Sequence, residues 1–403
     1  MQEIKEETEM KIIDFTWPAG FYSDGINAGL RQVKNDLGWL YSKVPAQAAG
    51  VYTTNQFQAA PTKLTKQTIN AKHVLQAIVM NSANANSCTG AQGEADALAM
   101  QQLAATKLEL KPALVGVAST GLIGKTLPMK LIKAGIKQLQ LTKTTAVTNA
   151  ILTTDKQPKT CSVQCKIAGK LVTISGFAKG SGMIHPKMAT MLGFVTTDAA
   201  ISGTQLQELL SQQVDATFNQ ITVDGDTSTN DMVVALANGL AGNQALVPNS
   251  PDYSEFKANF SYVLGELAKK IAADGEGASK LVEVNVHGAA DKADGQKVAK
   301  AIVGSNLVKA AIFGEDPNWG RIMGAIGQTD AKLDISNVAI QMNGQALVKG
   351  SIAVDFDPTA MKLALAKPKI IIEVDLHNGV ANGQAWGCDL TYNYVKINAS
   401  YHN

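Results

Sequence analysis

The spacing of apolar positions along this chain switches repeatedly between a period of two and a period near 3.6, which predicts strands and helices mixed throughout. Short apolar runs at 76–80 (QAIVM), 114–118 (LVGVA), 171–177 (LVTISGF), 281–287 (LVEVNVH), 338–343 (VAIQMN) and 370–375 (IIIEVD) read as strands. In VEVNV, valine alternates with polar residues, the pattern of a strand buried on one face. Helices are expected over 92–107, 127–139, 204–219 and 253–273. In the last of these, Phe256, Phe260, Leu264, Leu267 and Ile271 recur at spacings of three and four and define one apolar face. Asn343–Gly344 supplies a tight turn, so 342–350 reads as a hairpin. With no repeat period and no low-complexity linker, the class is α/β, a mixed α+β layered sandwich. The polar stretch 242–254 (GNQALVPNSPDYS) is either a loop or a boundary between lobes.

Composition narrows the class of protein. The chain has 403 residues, 45% of them hydrophobic, enough for a large core or two lobes. Charged residues are 17% and aromatics 5%, while glycines number 35, which suits a tightly packed enzyme rather than a disordered chain. The net charge of +2 comes from dispersed Lys and Arg, so nucleic acid is not an expected partner. Cys88, Cys161, Cys165 and Cys388 form no C-x-x-C pair, and no metal site is expected. The acidic start MQEIKEETEM lacks an apolar signal core, and no run is long enough to cross a bilayer, so a soluble cytoplasmic protein is expected.

Three glycine patterns resemble nucleotide loops and fail at a required position. Gly124-Lys125-Thr126 would need glycine where Ser119 stands, and the Gly180 and Gly275 patterns have His185 and Lys280 in place of their third glycine. There is no G-x-S-x-G elbow, and the five histidines are scattered. Small polar residues concentrate instead in NSANANSCTG (81–90), VASTGLIG (117–124), FAKGSGMIHPKMATMLGF (177–194), VDGDTSTND (223–231) and DGEGASK (274–280). Each alone reads as a turn-rich loop; five together point to a polar site on a rigid scaffold. Within 177–194, Thr190 follows a small residue and lies in apolar surroundings. Its hydroxyl is placed to attack the Ala189 carbonyl, and after an N-to-O acyl shift and hydrolysis the new amine serves as base for that hydroxyl. By spacing alone, a generic strand–loop–helix turn stays the better reading.

The motif itself goes further. Lys179 to Leu192 resembles the K-G-x-G-M-I-x-P-x-M-A-T-M-L segment of the ornithine acetyltransferase (glutamate N-acetyltransferase) family. AGVYTTN (49–55), ITVDGDTSTND (221–231), DGEGASK (274–280), GEDPNWGRI (314–322) and YVKINA (394–399) match in the same order, so the resemblance runs from about Pro18 to the end. It implies the ornithine acetyltransferase and DmpA-like aminopeptidase fold. It also implies cleavage between Ala189 and Thr190 into chains of residues 1–189 and 190–403, which fold together as one unit with two lobes and assemble as two of each. By the same resemblance, Thr190 passes acetyl groups from N2-acetyl-L-ornithine to L-glutamate in arginine biosynthesis, with no cofactor. Some members take acetyl-CoA as a further donor.

The resemblance also assigns residues. Thr120 and Gly121 match the oxyanion hole, while Thr153 or Thr154, Lys179, Thr190, Glu276 and Asn398 match substrate contacts. Asn403 stands where the family carries Ser or Thr, and His185 where it carries a small residue. Thr120 has an alternative reading as a cap on a following helix. A self-processing aminopeptidase and an unprocessed, non-catalytic relative are the competing functional readings.

Overall fold

A strand buried at nearly every position needs cover on both faces, and Val74–Asn81 has it. The computed structural model describes residues 10–185 and 191–400, which divide into two compact units. The first holds, of these, residues 10–179, 191–215 and 228–267, and the second 180–185, 216–227 and 268–400.

The described strands of the first unit are β1 (Lys11–Ile13), β2 (Phe21–Ile26), β3 (Leu37–Tyr52), β4 (Val74–Asn81), β5 (Val115–Ser119), β6 (Lys159–Ile167), β7 (Lys170–Lys179), β8 (Leu192–Thr197) and β9 (Met232–Ala237). They form one sheet in the order β1-β6-β7-β8-β9-β3-β4-β5, with β2 also paired to β3. The pairs β4–β5 and β8–β9 are parallel. Helices α1 (Ala60–Lys72), α2 (Gly90–Lys107), α3 (Met129–Gln138) and α4 (Ala146–Ala150) cover it. Alternation divides the strands between two cores. Trp39, Val79 and Val117 pack with Met100 of α2 and Ile132 of α3. Leu40, Ile78, Met80 and Ala118 pack on the opposite face with Ile69 of α1 and Val147 of α4.

The 16-residue β3 was not predicted, because Pro45 interrupts its run. Its pairing with β4 shifts register between Tyr41 and Ala46, so the proline falls where no ladder donor is needed. The 242–254 stretch is not a lobe boundary. It lies within the first unit, held there by Asn243 Oδ1, which accepts the Ala200 N–H (2.9 Å), and by the Leu246 N–H donating to Ala200 O (2.9 Å). After α5 (Gly203–Ala216) comes α6 (Pro251–Ala273), in which Phe256, Phe260, Leu264, Leu267 and Ile271 are all fully buried, as their spacing predicts.

In the second unit, β10 (Leu281–Ala289), β11 (Ala339–Met342), β12 (Gln345–Lys349), β13 (Ile352–Ala353), β14 (Lys369–Asp375) and β15 (Ala381–Cys388) form a sheet in the order β13-β12-β11-β14-β10-β15. Helices α7 (Lys292–Gly304), α8 (Asn306–Phe313), α9 (Trp319–Gly327) and α10 (Pro358–Leu365) bury Val282, Val284 and Val286. The alternate residues of β10 make polar contacts: Trp386 Nε1 donates to Glu283 (3.1 Å) and Asn285 Nδ2 to Glu373 (2.8 Å). The chain ends in α11 (Tyr392–Ala399). The expected hairpin joins β11 to β12, with Asn343 at φ 45° and Gly344 at φ 84°. The Asn343 amide donates to Ala364 O (2.7 Å) and Lys369 O (3.2 Å), and its oxygen accepts the Ile371 N–H (2.7 Å).

Among the described residues, no helix is long and apolar enough to cross a membrane, and all four cysteines are free. Ile372 is wholly enclosed in the second core and Ile371 only half-buried. Ile372→Ala is expected to lower stability by about 2–5 kcal/mol in chemical denaturation, and Ile371→Ala by clearly less.

Candidate active site

The sequence-predicted residues divide between the two units. In the first unit, β4 and β5 run parallel and end together at Asn81 and Ser119. The Thr120 N–H donates to Asn81 O (3.0 Å), and the Ser119 hydroxyl to Asn81 Oδ1 (2.6 Å). The chain then turns at Gly121, whose φ of +127° favours glycine. A β-carbon there would lie 2.2 Å from the Ala83 carbonyl carbon. Among the described residues, neither the Thr120 hydroxyl nor the Gly121 N–H is committed to a hydrogen bond. Thr120 does not cap a helix, since α3 starts only at Met129. The turn therefore presents two adjacent, unused donors.

Lys179 ends β7 and is largely buried. Its Nζ donates to Thr153 Oγ1 (2.8 Å) and lies 3.9 Å from Asp155 Oδ2. Of the two candidate threonines, Thr153 is thus in contact with Lys179. The other Asp155 oxygen holds Lys159 Nζ at 2.5 Å, and the Thr153 N–H donates to Oδ2 (3.0 Å). Burial alone would raise the Asp155 carboxyl, but the charges of Lys179 and Lys159 outweigh it and hold the group well below the usual carboxylate range. Two buried ammonium groups thus meet at the Asp155 carboxylate.

Asp231 immediately precedes β9 and behaves oppositely. Burial drives its carboxyl well above the ordinary range, against the opposing pull of the Ser228 hydroxyl, the Lys179 charge, the Thr53 hydroxyl and the Met191 N–H. Its Oδ2 is buried without a hydrogen-bond partner among the described residues.

In the second unit, Glu276 and Asn398 come together: Asn398 Nδ2 of α11 donates to Glu276 Oε2 (2.8 Å). The Glu276 N–H donates to Ser181 O (2.8 Å). Glu276 packs its carboxylate against Gly182, where a β-carbon would lie 2.4 Å from the carboxyl carbon and push that side chain aside. The same loop is pinned by Asp224, which accepts the N–H groups of Met183 (2.7 Å) and Ile184 (2.8 Å) and the Tyr394 hydroxyl (3.2 Å). Burial, and then the Asp224 charge, raise the Tyr394 phenol. His185 Nδ1 hydrogen-bonds the Thr222 hydroxyl (3.0 Å).

Ala189, Thr190 and Asn403 lie outside the described residues; Met191, which follows Thr190 directly, accepts the Met232 N–H at its carbonyl (2.9 Å). Among the described residues, no group of three or more His, Cys, Asp or Glu could hold a metal. Sequence reasoning did not single out Asn81, Lys159, Asp224 or Asp231. The only signal for three of them was membership of a polar stretch between apolar ones.

Fold and site together define a mixed α/β chain that presents backbone and hydroxyl donors at a strand end. A model of the ArgJ family matches residues 22–403. The arginine biosynthesis bifunctional protein ArgJ of Lactiplantibacillus plantarum is 66% identical over 400 residues, which cover 99% of this chain and all of that one. The protein of the same name from Oceanobacillus iheyensis is 52% identical over 400 residues, covering 99% and 98%. The crystal structure of the arginine biosynthesis bifunctional protein ArgJ of Bacillus halodurans aligns over its whole chain with 53% of this one, at 50% identity and a TM-score of 0.52. The chain belongs to the ArgJ family, and the kinship expected from its motifs is met at that level.

A carboxyl raised on folding loses stability as pH climbs from its unfolded value, about 3.9, towards its folded one. Asp231→Asn removes that loss. The melting temperature of the variant relative to the native protein should therefore rise as the pH climbs above about 4. A difference that stays flat over this range would mean that Asp231 titrates normally.

Proposed function

We propose that the chain cuts itself between Ala189 and Thr190 and then transfers acetyl groups from N2-acetyl-L-ornithine to L-glutamate through an acetyl ester on Thr190. The observation that carries this reading is the glycine-locked turn with its two uncommitted donors. Placed at an acyl-transfer centre, the Thr120 hydroxyl and Gly121 N–H would hold the oxyanion of each tetrahedral intermediate.

The chemistry needs no cofactor. In self-cleavage the Thr190 hydroxyl adds to the Ala189 carbonyl, the C–N bond breaks as the ester forms, and water hydrolyses that ester, leaving chains of residues 1–189 and 190–403. The freed α-amine, with an ordinary pKa near 8, takes the hydroxyl proton when Thr190 attacks the acetyl group. Ornithine leaves with its nitrogen protonated, and the glutamate amine then takes the acetyl group.

Lys179, held by Thr153 and sharing Asp155 with Lys159, offers its charge to a substrate carboxylate, with Thr154 as a neighbouring hydroxyl. Glu276, oriented by Asn398, offers a carboxylate to an ammonium group, and Asn403 a terminal amide. The bifunctional name of the relatives supports acetyl-CoA as a second acetyl donor. Two copies of each cleaved chain, in the cytoplasm, complete the reading.

Three measurements test it. Intact-mass analysis should find two chains, the second beginning at Thr190, and Thr190→Ala should give one uncut, inactive chain. Thr120→Ala should fold and transfer more slowly by roughly a hundredfold to a thousandfold, the usual effect of losing one oxyanion donor. Glutamate should accelerate ornithine release from N2-acetyl-L-ornithine; release that ignores glutamate would instead mark a hydrolytic aminopeptidase.

A further inference from the structure

Ser228-Thr229-Asn230-Asp231 leads the chain into β9, and its composition is that of an ordinary turn. Asn230 nevertheless has every hydrogen-bonding group of its side chain committed, and it is buried. The Thr229 hydroxyl donates to Asn230 Oδ1 (2.7 Å), which fixes the amide so that its two N–H bonds point the other way. Asn230 Nδ2 reaches two carbonyls distant in sequence, Ala85 O at 2.6 Å and Ser119 O at 2.8 Å. Its backbone is held as well: the Thr62 hydroxyl donates to Asn230 O (3.1 Å), and the Asn230 N–H to Ser228 Oγ (3.1 Å).

Those two carbonyls bracket the glycine-locked turn. Ser119 is the residue before Thr120. Ala85 belongs to the 83–85 segment, which the turn meets through Leu122 N–H to Ala83 O and Ala85 N–H to Leu122 O, both 2.9 Å. One planar amide thus ties the approach to the turn and the backbone it rests on to the start of β9.

We infer that Asn230 is a positioning residue for the oxyanion donors, setting where the Thr120 hydroxyl and Gly121 N–H stand by clamping the carbonyls of Ser119 and Ala85. The inference rests on the oxyanion reading of those donors. Oriented donors work only close to where charge develops, and a misplacement of about 1 Å costs on the order of a hundredfold in rate. No other side chain of similar size reproduces the clamp. Aspartate has the shape, but it turns an oxygen towards two carbonyl oxygens.

The test uses full-length, self-processed enzyme, with kcat counted per acetylatable Thr190 in a single-turnover burst. Asn230→Asp is expected to lower kcat by about tenfold to a hundredfold and to leave KM for N2-acetyl-L-ornithine within about twofold. Thr229→Val, which removes only the hydroxyl that orients the amide, should shift kcat in the same direction by a smaller factor; it decides the matter if Asn230→Asp does not fold. On a Thr120→Ala background either change should cost clearly less than on the native protein, because both act through the same turn.

A merely structural Asn230 would lower the melting temperature and the yield of active sites while leaving kcat per site unchanged, and that result overturns the inference. So does a full multiplicative loss on the Thr120→Ala background. A native rate in Thr120→Ala alone overturns the oxyanion reading instead, so the two failures are distinguishable.

Discussion

A backbone contact with no room for a β-carbon governs the functional end of the first unit. Gly121 stands so close to Ala83 that any side chain would collide with the peptide beneath it. The closeness lets the two segments exchange backbone hydrogen bonds, Leu122 N–H to Ala83 O and Ala85 N–H to Leu122 O. Everything nearby serves that approach: β4 and β5 end in register, Asn81 receives both the Ser119 hydroxyl and the Thr120 N–H, and Asn230 joins both segments to β9.

Electrostatics divides the same unit into groups that want charge and one that resists it. Asp155 is buried but flanked by two ammonium groups, so its ionised form is favoured despite the loss of water. Asp231 has one lysine charge in range and an oxygen with no hydrogen-bond partner among the described residues, so burial dominates. The contrast follows from how many partners each carboxyl has and not from depth alone, since both are almost fully enclosed.

Much of the architecture was legible wherever one periodicity dominated. The valines of β10, the aromatic face of α6 and the Asn-Gly turn between β11 and β12 all lie where their spacing places them. β3 was hidden because a proline and several small residues break its pattern, and only the bulge explains how a strand tolerates them. For the site, the long motif around Thr190 carried the recognition. Asn81, Asn230 and Asp231 looked like turn formers, because their roles depend on carbonyls and charges far away in sequence. Pairing information of that kind is absent from any local window of residues. The lobe boundary suggested at 242–254 failed for the same reason, since a polar stretch does not reveal that Asn243 ties it down.

The hairpin turn at Asn343–Gly344 has a bearing on how the protein ages in solution. An asparagine followed by glycine is the dipeptide most prone to deamidation, because the next backbone nitrogen can swing in and close a succinimide ring on the side-chain carbonyl. Here that side chain is tied at three points, to the carbonyls of Ala364 and Lys369 and to the N–H of Ile371. Its carbonyl cannot turn towards the Gly344 nitrogen without releasing all three. The bonds that shape this turn therefore also shelter it from isoaspartate formation, and chemical damage at this dipeptide becomes a sensor of local unfolding in stored material.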